Sequence, residues 1–238
     1  MVPIFLFVCS FACAIAGRVP DYINKCNYDE NTISQCVLDN VPKVLPHLKD
    51  GIKGLHLPPL VPFHLEELTI EPSPGLVLKL KNLEIYGLDK VNMTQLTIKS
   101  PNMEFKMHFD EVRFQGDFDI NGKLLILPIQ GKCKCFMALQ DFSVDYFLTF
   151  GESERNGKKY FTTDNHKIIY DSTRMTSDLE KLFAEPTLGK QLKQFMEENW
   201  KEINDEFRPV MTETILQIVK NLFNSVTNSM PLNELFIV

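Results

Sequence analysis

A long amphipathic stripe near the carboxyl end constrains the fold of this chain more than any other feature. Between Leu188 and Val226 the apolar residues recur at spacings of mostly three, four and seven, which is typical of one buried helix face. A helix of this length would span about 55 Å, which is longer than a compact domain of this size is wide. Pro209 lies inside it and predicts a kink, because proline removes one backbone hydrogen bond. The stripe consists of Leu188, Leu192, Phe195, Met196, Ile203, Phe207, Val210, Met211, Ile215, Ile218, Leu222 and Phe223.

A region between Leu65 and Asp171, in which apolar and polar residues alternate, predicts a sheet that can pack against this helix. Met103, Phe105, Met107 and Phe109, for example, alternate with charged or polar residues. Such segments are typical of antiparallel strands with one face in the core and the other in water. We therefore predict an α+β fold in which a highly curved antiparallel sheet wraps the long C-terminal helix in one elongated domain. The ends of such a fold are natural places for apolar cavities.

Turn and breaker residues predict the remaining elements. Asn121-Gly122 and Asn156-Gly157 are hairpin signals. Residues 51–62 are rich in Gly and Pro and predict a non-helical connection, whereas residues 176–183 predict a short helix. Asn31 or Thr32 is suited to cap a first helix that runs to about Leu48, and Pro42 and Pro46 predict a kink or break within it. Along the sequence, the first helix and the Gly- and Pro-rich connection would precede the sheet, and the short helix would follow it.

The amino-terminal residues indicate export. An apolar run from Pro3 to Cys13 is followed by Ala14-Ile15-Ala16, so residues 1–17 are predicted to be a secretory signal peptide and residues 18–238 the single domain. No later stretch reaches the roughly 18 apolar residues of a membrane span. The formal net charge is −6, with both signs interspersed. We therefore expect a secreted, extracellular monomer that binds neither nucleic acid nor membrane.

The six cysteines divide into three pairs. Cys9 and Cys13 would leave with the signal peptide, and Cys26 and Cys36 are predicted to form a disulfide in an exported chain. The third pair lies two residues apart on one predicted strand, which places both sulfurs on the same face, and this spacing is poorly suited to a disulfide. We expect Cys133 and Cys135 to be two free thiols lining the interior, with a metal or redox pair as the alternative.

Catalytic, metal and cofactor motifs are missing from the sequence. The chain contains neither Gly-x-Ser-x-Gly nor His-Glu-x-x-His, and its five histidines match no standard ligand spacing. We therefore expect no enzymatic activity, no metal and no cofactor. Asn92-Met93-Thr94 is the single N-glycosylation sequon and marks Asn92 as a candidate site.

The order of several short motifs resembles the juvenile hormone-binding protein/takeout family of insects over essentially the whole mature chain. The motifs are the Cys26…Cys36 pair, Gly51-Ile52…Leu57-Pro58-Pro59-Leu60, the stretch from Phe118 to Gly131, Leu188-Gly189, Glu198-Asn199-Trp200 and the closing Pro231…Leu235-Phe236. The family usually has a Gly where this chain has Cys133. The resemblance implies a curved sheet around a long helix. It also implies a secreted carrier whose pocket lies beneath the N-terminal helix and the C-terminal tail.

Candidate ligand contacts follow from placing the apolar residues on that fold. Our hypothesis is a carrier for a juvenile-hormone-like terpenoid or a fatty-acyl lipid, and the alternative is an extracellular signalling or interaction protein with a fully packed core. Tyr146 is of particular interest, because its hydroxyl on an apolar face could bond an ester, an epoxide or an acid. The predicted contact residues are Val37, Val41 and Leu45 on the first helix, Met137, Phe142 and Tyr146 on the sheet, and Leu222, Phe223 and Phe236 near the C-terminus.

Overall fold

The computed structural model describes residues 19–238, so the predicted signal peptide with Cys9 and Cys13 lies outside the described part of the chain. The helices are α1 (Ile33–Val44), α2 (Pro186–Glu198), α3 (Trp200–Ser229) and α4 (Leu232–Leu235). The strands are β1 (Cys26–Asn27), β2 (Phe63–Ser73), β3 (Leu76–Tyr86), β4 (Asn92–Lys99), β5 (Asn102–Leu124), β6 (Leu127–Arg155), β7 (Lys158–Asp171), β8 (Arg174–Ser177) and β9 (Phe236–Ile237). Short 3₁₀ turns cover Leu45–His47, Lys53–Leu55, Leu88–Lys90 and Leu179–Leu182.

A large antiparallel sheet forms most of the molecule. Its strands follow the order β2-β3-β5-β6-β7, with β4 added beside β5 and β8 beside β6. The long hairpin of β5 and β6 is paired from Asn102 opposite Thr149 to Leu124 opposite Leu127. Buried and more exposed residues alternate along these strands, as the apolar and polar pattern predicts. The buried face of the sheet thus presents a continuous apolar surface.

The sheet curves around α3, which confirms the predicted α+β fold. The strands β2 and β7 lie at opposite ends of the main strand order, yet both contact α3. A flat sheet could not bring both of these strands to one helix, so the sheet must wrap it. The core between them includes buried residues from every layer, such as Leu83 in β3, Phe118 in β5 and Ile203 in α3.

The predicted continuous helix is divided in two at Asn199. This residue ends α2 and precedes α3 with a non-helical backbone (φ −116°, ψ 20°). Its side-chain Nδ2 donates to the carbonyl of Phe195 at 2.7 Å, and its backbone N–H bonds to the same carbonyl at 3.0 Å. Asparagine side chains often form such local hydrogen bonds to the backbone four residues earlier, which compete with a continuous helix. Pro209 lies inside α3, which at 30 residues is about 45 Å long.

The predicted turn at Asn121-Gly122 is wrong, whereas the one at Asn156-Gly157 is confirmed. Both residues of the first pair lie within β5, and the chain reverses after Leu124. Gly122 has φ +142°, and a Cβ there would collide with the backbone oxygen of Gly75. Gly122 therefore permits the turn between β2 and β3 to approach β5 closely. Its role is close packing rather than chain reversal.

Three other boundaries differ from the expectations. The first helix ends at Val44 and continues only as the 3₁₀ turn Leu45–His47, which contains Pro46, whereas Pro42 lies inside α1. The predicted helix over residues 176–183 is absent; these residues form the end of β8 and the 3₁₀ turn Leu179–Leu182. The connection over residues 51–62 contains the short 3₁₀ turn Lys53–Leu55. Such short segments lack the several turns of periodic pattern that identify a helix.

The amino-terminal arm is fixed to both α1 and the C-terminal tail. The predicted disulfide between Cys26 and Cys36 is present, with the Cα atoms 5.7 Å apart. β1 pairs in parallel with β9, so that Cys26 lies opposite Phe236. The first and last described elements therefore meet at the same end of the domain, beside α1.

Our expectation of two free thiols at Cys133 and Cys135 is wrong, because the structure joins them in a disulfide. A regular strand advances about 3.3 Å per residue, which would place these Cα atoms near the upper end of the usual disulfide range. The observed Cα separation is 5.4 Å. The two residues are therefore closer together than in an ideal strand, near the commonest disulfide separation, which the ideal strand geometry did not anticipate.

Candidate functional site

An apolar groove lies between α1, the amino-terminal arm and the C-terminal tail. Its volume is about 330 Å³, within the size range of small-molecule sites. The lining residues are Val19, Ile23, Cys26, Val37, Asn40, Val41, Val44, Leu45, Leu48, Leu55, Val91, Met93, Val226, Leu235 and Phe236. The groove is therefore bounded by segments from both ends of the described chain.

Asn40 is the one polar side chain among the described residues that line the groove, and the protein itself occupies its polar atoms. Its Oδ1 accepts from the backbone N–H of Asn24 at 2.9 Å and from Lys43 Nζ at 3.3 Å. Its Nδ2 donates to the carbonyls of Asn24 at 2.9 Å and Cys36 at 3.1 Å. Asn40 thus holds the arm against α1. The surface that remains for a ligand is apolar.

A second, smaller cavity of about 90 Å³ lies between the inner face of the sheet and α3. It is enclosed mainly by aliphatic and aromatic side chains from β2, β3, β5, β6 and α3, including Leu68, Leu80, Met137, Phe207 and Met211. A void of this size is below the range of most ligand sites. Flexible methionine side chains can adapt to a guest, so its volume is not rigidly fixed.

A chain of hydrogen bonds crosses the core near Tyr146. The side chain of Tyr146 is fully buried and stacks on Phe105 with ring centroids 4.8 Å apart. Its hydroxyl lies 2.7 Å from His166 Nδ1, and His166 Nε2 lies 3.1 Å from Thr163 Oγ1. Burial raises the pKa of Tyr146 to about 12, so the hydroxyl stays protonated at neutral pH. The Tyr146 hydroxyl thus bonds within the protein.

The nine predicted ligand contacts lie in several different places. Val37, Val41, Leu45 and Phe236 line the groove, and Met137 lines the central cavity. Phe142 is buried between the rings of Phe109 and Tyr170, at centroid distances of 6.0 and 5.8 Å. Leu222 packs against a small cluster of Leu48, Ile52 and Leu60, and Phe223 packs against the main core. The groove therefore brings four of them together.

Other groove residues were not singled out from the sequence. Val226 lies one helical turn after Leu222 and continues the same stripe, so its spacing was a usable signal. Ile23 belongs to the irregular amino-terminal arm, where no periodic pattern identifies a buried face. Leu235 precedes the predicted Phe236 and belongs to the closing motif Pro231…Leu235-Phe236, but it was not among the predicted ligand contacts.

Residues 19–238 contain neither a cluster of metal-ligating side chains nor a helix suited to span a membrane. No group of three or more His, Cys, Asp or Glu side chains within residues 19–238 is arranged to hold a metal ion. Over the same residues, no helix is both long and apolar enough to cross a membrane. Asn92 is exposed at the start of β4, and Thr94 of its sequon is exposed as well.

Comparisons with known proteins agree on one family. The family described as haemolymph juvenile hormone binding protein matches residues 4–237. The circadian clock-controlled protein daywake of Drosophila yakuba is 21% identical over 231 residues, covering 91% of this chain and 88% of the relative. Its Drosophila melanogaster counterpart is 21% identical over 234 residues with the same coverage. The crystal structure of Epiphyas postvittana Takeout 1 shares the fold, with a TM-score of 0.76, 22% identity, and coverage of 90% of this chain and 99% of that chain. The chain therefore belongs to the haemolymph juvenile hormone-binding protein family.

Proposed function

We propose that this protein is a secreted carrier that binds a small hydrophobic ligand in the groove beneath α1. The observation that carries the proposal is the groove itself, with a volume of about 330 Å³ and an apolar lining. Family membership supports the same role, because the family is described by the binding of juvenile hormone. The ligand class we propose is a juvenile-hormone-like terpenoid or a fatty-acyl lipid.

The engagement of Asn40 favours recognition by shape over recognition by hydrogen bonds. Both its Oδ1 and its Nδ2 are bonded to neighbouring residues, so a guest meets hydrocarbon over most of the groove. An extended chain that buries about 400 Å² would gain roughly 10 kcal/mol before the costs of association. Those costs must be subtracted from this gain, and an affinity of 1 µM corresponds to about 8.2 kcal/mol, so the burial supports affinities in the micromolar range or weaker. A carrier needs affinity of this order to hold and release its cargo.

The proposed contacts are the residues that line the groove, above all Val37, Val41, Leu45 and Phe236. The central cavity with Met137 is too small to hold such a ligand unless side chains move. Phe142, Tyr146, Leu222 and Phe223 then support the surrounding core. We further propose that residues 1–17 direct export and that the mature protein acts outside the cell as a monomer.

Native mass spectrometry of the protein secreted from eukaryotic cells, followed by lipid extraction, tests this function. We expect a mass increment that organic solvent removes and a terpenoid or acyl lipid in the extract. After delipidation, the protein should take up a fluorescent fatty acid or a terpenoid. A protein that carries no lipid and takes up neither probe would instead favour the alternative of an extracellular signalling or interaction protein.

A further inference from the structure

The disulfide between Cys133 and Cys135 holds together residues that the sheet already positions. The two cysteines are only two residues apart in sequence. Cys133 pairs with Phe118 and Cys135 with Gly116 in the ladder between β5 and β6. A disulfide stabilises a fold mainly by restricting the unfolded chain, and this effect is smallest for short loops. The Cys133–Cys135 bond therefore contributes little as a structural cross-link.

The two sulfur atoms have different surroundings. Cys135 is 2% exposed, and its Sγ lies 3.7 Å from the carbonyl oxygen of Asp178. Cys133 is partly exposed and borders an open surface depression of about 580 Å³. A thiolate from solution must approach one sulfur along the line of the S–S bond. Accessibility therefore directs attack to Cys133 and makes Cys135 the leaving group.

Charged side chains surround this depression. Four lysines and three acidic residues border it. Lys132 pairs with Asp119 at 2.9 Å, and Lys81 Nζ lies 3.8 Å from Glu67. The remaining acid, Asp117, accepts a hydrogen bond from Asn82 Nδ2 at 2.7 Å, and the other two lysines are Lys79 and Lys134. Lys132 and Lys134 alternate with the two cysteines along β6, so these charges lie on the sheet face opposite the sulfurs and do not select the charge of the reactant.

We propose that Cys133–Cys135 is a thiol–disulfide exchange site for low-molecular-weight thiols. The incoming thiolate attacks Cys133 Sγ, and a mixed disulfide forms as the Cys133–Cys135 bond breaks. Cys135 leaves as a thiolate and takes a proton from water, after which its S–H can donate to the carbonyl of Asp178. A second thiolate attacks the small-molecule sulfur of the mixed disulfide and releases Cys133 as a thiolate. Two electrons thereby pass from two small thiols, which leave as their disulfide, to the protein.

Titration of the full secreted protein with reduced glutathione tests the proposal without any substitution. Free thiols are trapped by alkylation at each concentration, and peptide mass spectrometry measures the reduced fraction of each pair. We expect Cys133–Cys135 to reach half-reduction at a glutathione concentration about tenfold or more below that required by Cys26–Cys36. The intermediate should carry glutathione on Cys133. Equal reduction of both pairs, a resistant Cys133–Cys135 pair, or two free thiols before treatment would overturn the proposal.

Two matched single variants test the direction of attack. Cys135→Ser leaves Cys133 alone, and Cys133→Ser leaves Cys135 alone. With oxidised glutathione, the first variant should form its mixed disulfide about tenfold or more faster than the second, because only Cys133 is accessible. Similar rates, or a faster reaction of Cys135, would contradict the assignment. If either variant does not fold, the site of the glutathione adduct on the unsubstituted protein decides the question.

Discussion

The hydroxyl of Tyr146 lies 2.7 Å from Nδ1 of His166 and begins a chain of hydrogen bonds that links the sheet to α3. In the neutral ring one nitrogen carries the proton, and with that proton on Nε2 the Tyr146 O–H donates to Nδ1. The Nε2–H of His166 then donates to Thr163 Oγ1, and the Thr163 hydroxyl donates to Asn224 Oδ1 at 2.9 Å. A proton on Nδ1 would leave the Tyr146 hydroxyl without its acceptor. The chain therefore requires a neutral His166.

The first prediction is an acid-dependent loss of stability that originates at His166. Burial, followed by the positive charge of Lys220, lowers the pKa of His166 from its ordinary value of 6.5, while Asp164 acts in the opposite direction. Below about pH 6.5 the unfolded chain binds this proton more readily than the folded protein does, so the free energy of unfolding falls as the pH falls. The loss ends once the pH is below the lowered pKa. Urea denaturation at about pH 7.5 and at about pH 5 measures this loss of unfolding free energy.

His166→Gln removes the titrating group and should reduce the difference in unfolding free energy between the two pH values. His64→Gln is the matched control, because the side chain of His64 is 63% exposed and lies on the sheet surface. The control should retain the pH dependence of the unsubstituted protein. A His166→Gln protein with the full pH dependence would show that the effect arises elsewhere.

The second prediction concerns the close approach of Gly122 and Gly75. Gly122→Ala should destabilise the protein by about 2–4 kcal/mol, because the added Cβ collides with the Gly75 oxygen and the backbone has φ +142°. Gly157→Ala is the matched control, since its φ is +72° but nothing lies within 4 Å of the added Cβ. It should cost only about 1–2 kcal/mol. If urea denaturation shows that both variants lose the same unfolding free energy, the contact with Gly75 has no energetic effect.

The third prediction concerns the attachment of the amino-terminal arm by Asn40. Asn40→Ala should lower the free energy of unfolding by about 2–3 kcal/mol, because it leaves the backbone groups of Asn24 without their partner. Limited proteolysis should then cut the arm faster than in the unsubstituted protein. Asp39→Ala is the control, since Asp39 is an exposed neighbour bonded only to Gln35 in the described structure. Unchanged protection of the arm in Asn40→Ala would contradict the role assigned to this residue.

The fourth prediction is N-glycosylation of Asn92. The side chain is exposed at the beginning of β4, and Thr94 is exposed two residues later, so the sequon is accessible to the modifying enzyme. Protein secreted from eukaryotic cells should lose mass on treatment with a peptide N-glycosidase. Asn92→Gln should show no such loss, and Asn102→Gln, outside any sequon, should retain it. An unsubstituted protein of unmodified mass would contradict the prediction.

Periodicity was sufficient to predict the sheet, the long helix and their mutual burial. The alternation from Phe142 to Phe150 and the stripe through Ile203 and Phe207 reflect burial directly, because each period is tied to one backbone geometry. The stripe does not reveal the interruption at Asn199. Met196 and Ile203 on either side of it are seven residues apart and both buried, so the pattern continues across the break.

Local rules failed where tertiary contacts decide the backbone. Asn121-Gly122 matches a hairpin sequence, but Gly122 is required by its contact with Gly75, a residue about fifty positions away. The Cys133–Cys135 bond forms at a Cα separation of 5.4 Å, shorter than that of an ideal strand. The groove depends on how the irregular arm and the tail meet, and only its α1 side is periodic in the sequence.

Binding of a fluorescent fatty acid by Val41→Phe tests the central claim most directly. Val41 lines the groove, and a larger side chain there should fill the space that the ligand occupies. Leu38→Phe is the matched control on the same helix, because Leu38 is half-buried and lies outside the described lining of the groove. We predict that Val41→Phe weakens binding by about tenfold or more, while Leu38→Phe stays within about twofold of the unsubstituted protein. If both variants, each shown to be folded, bind as tightly as the unsubstituted protein, the ligand does not occupy the groove beneath α1.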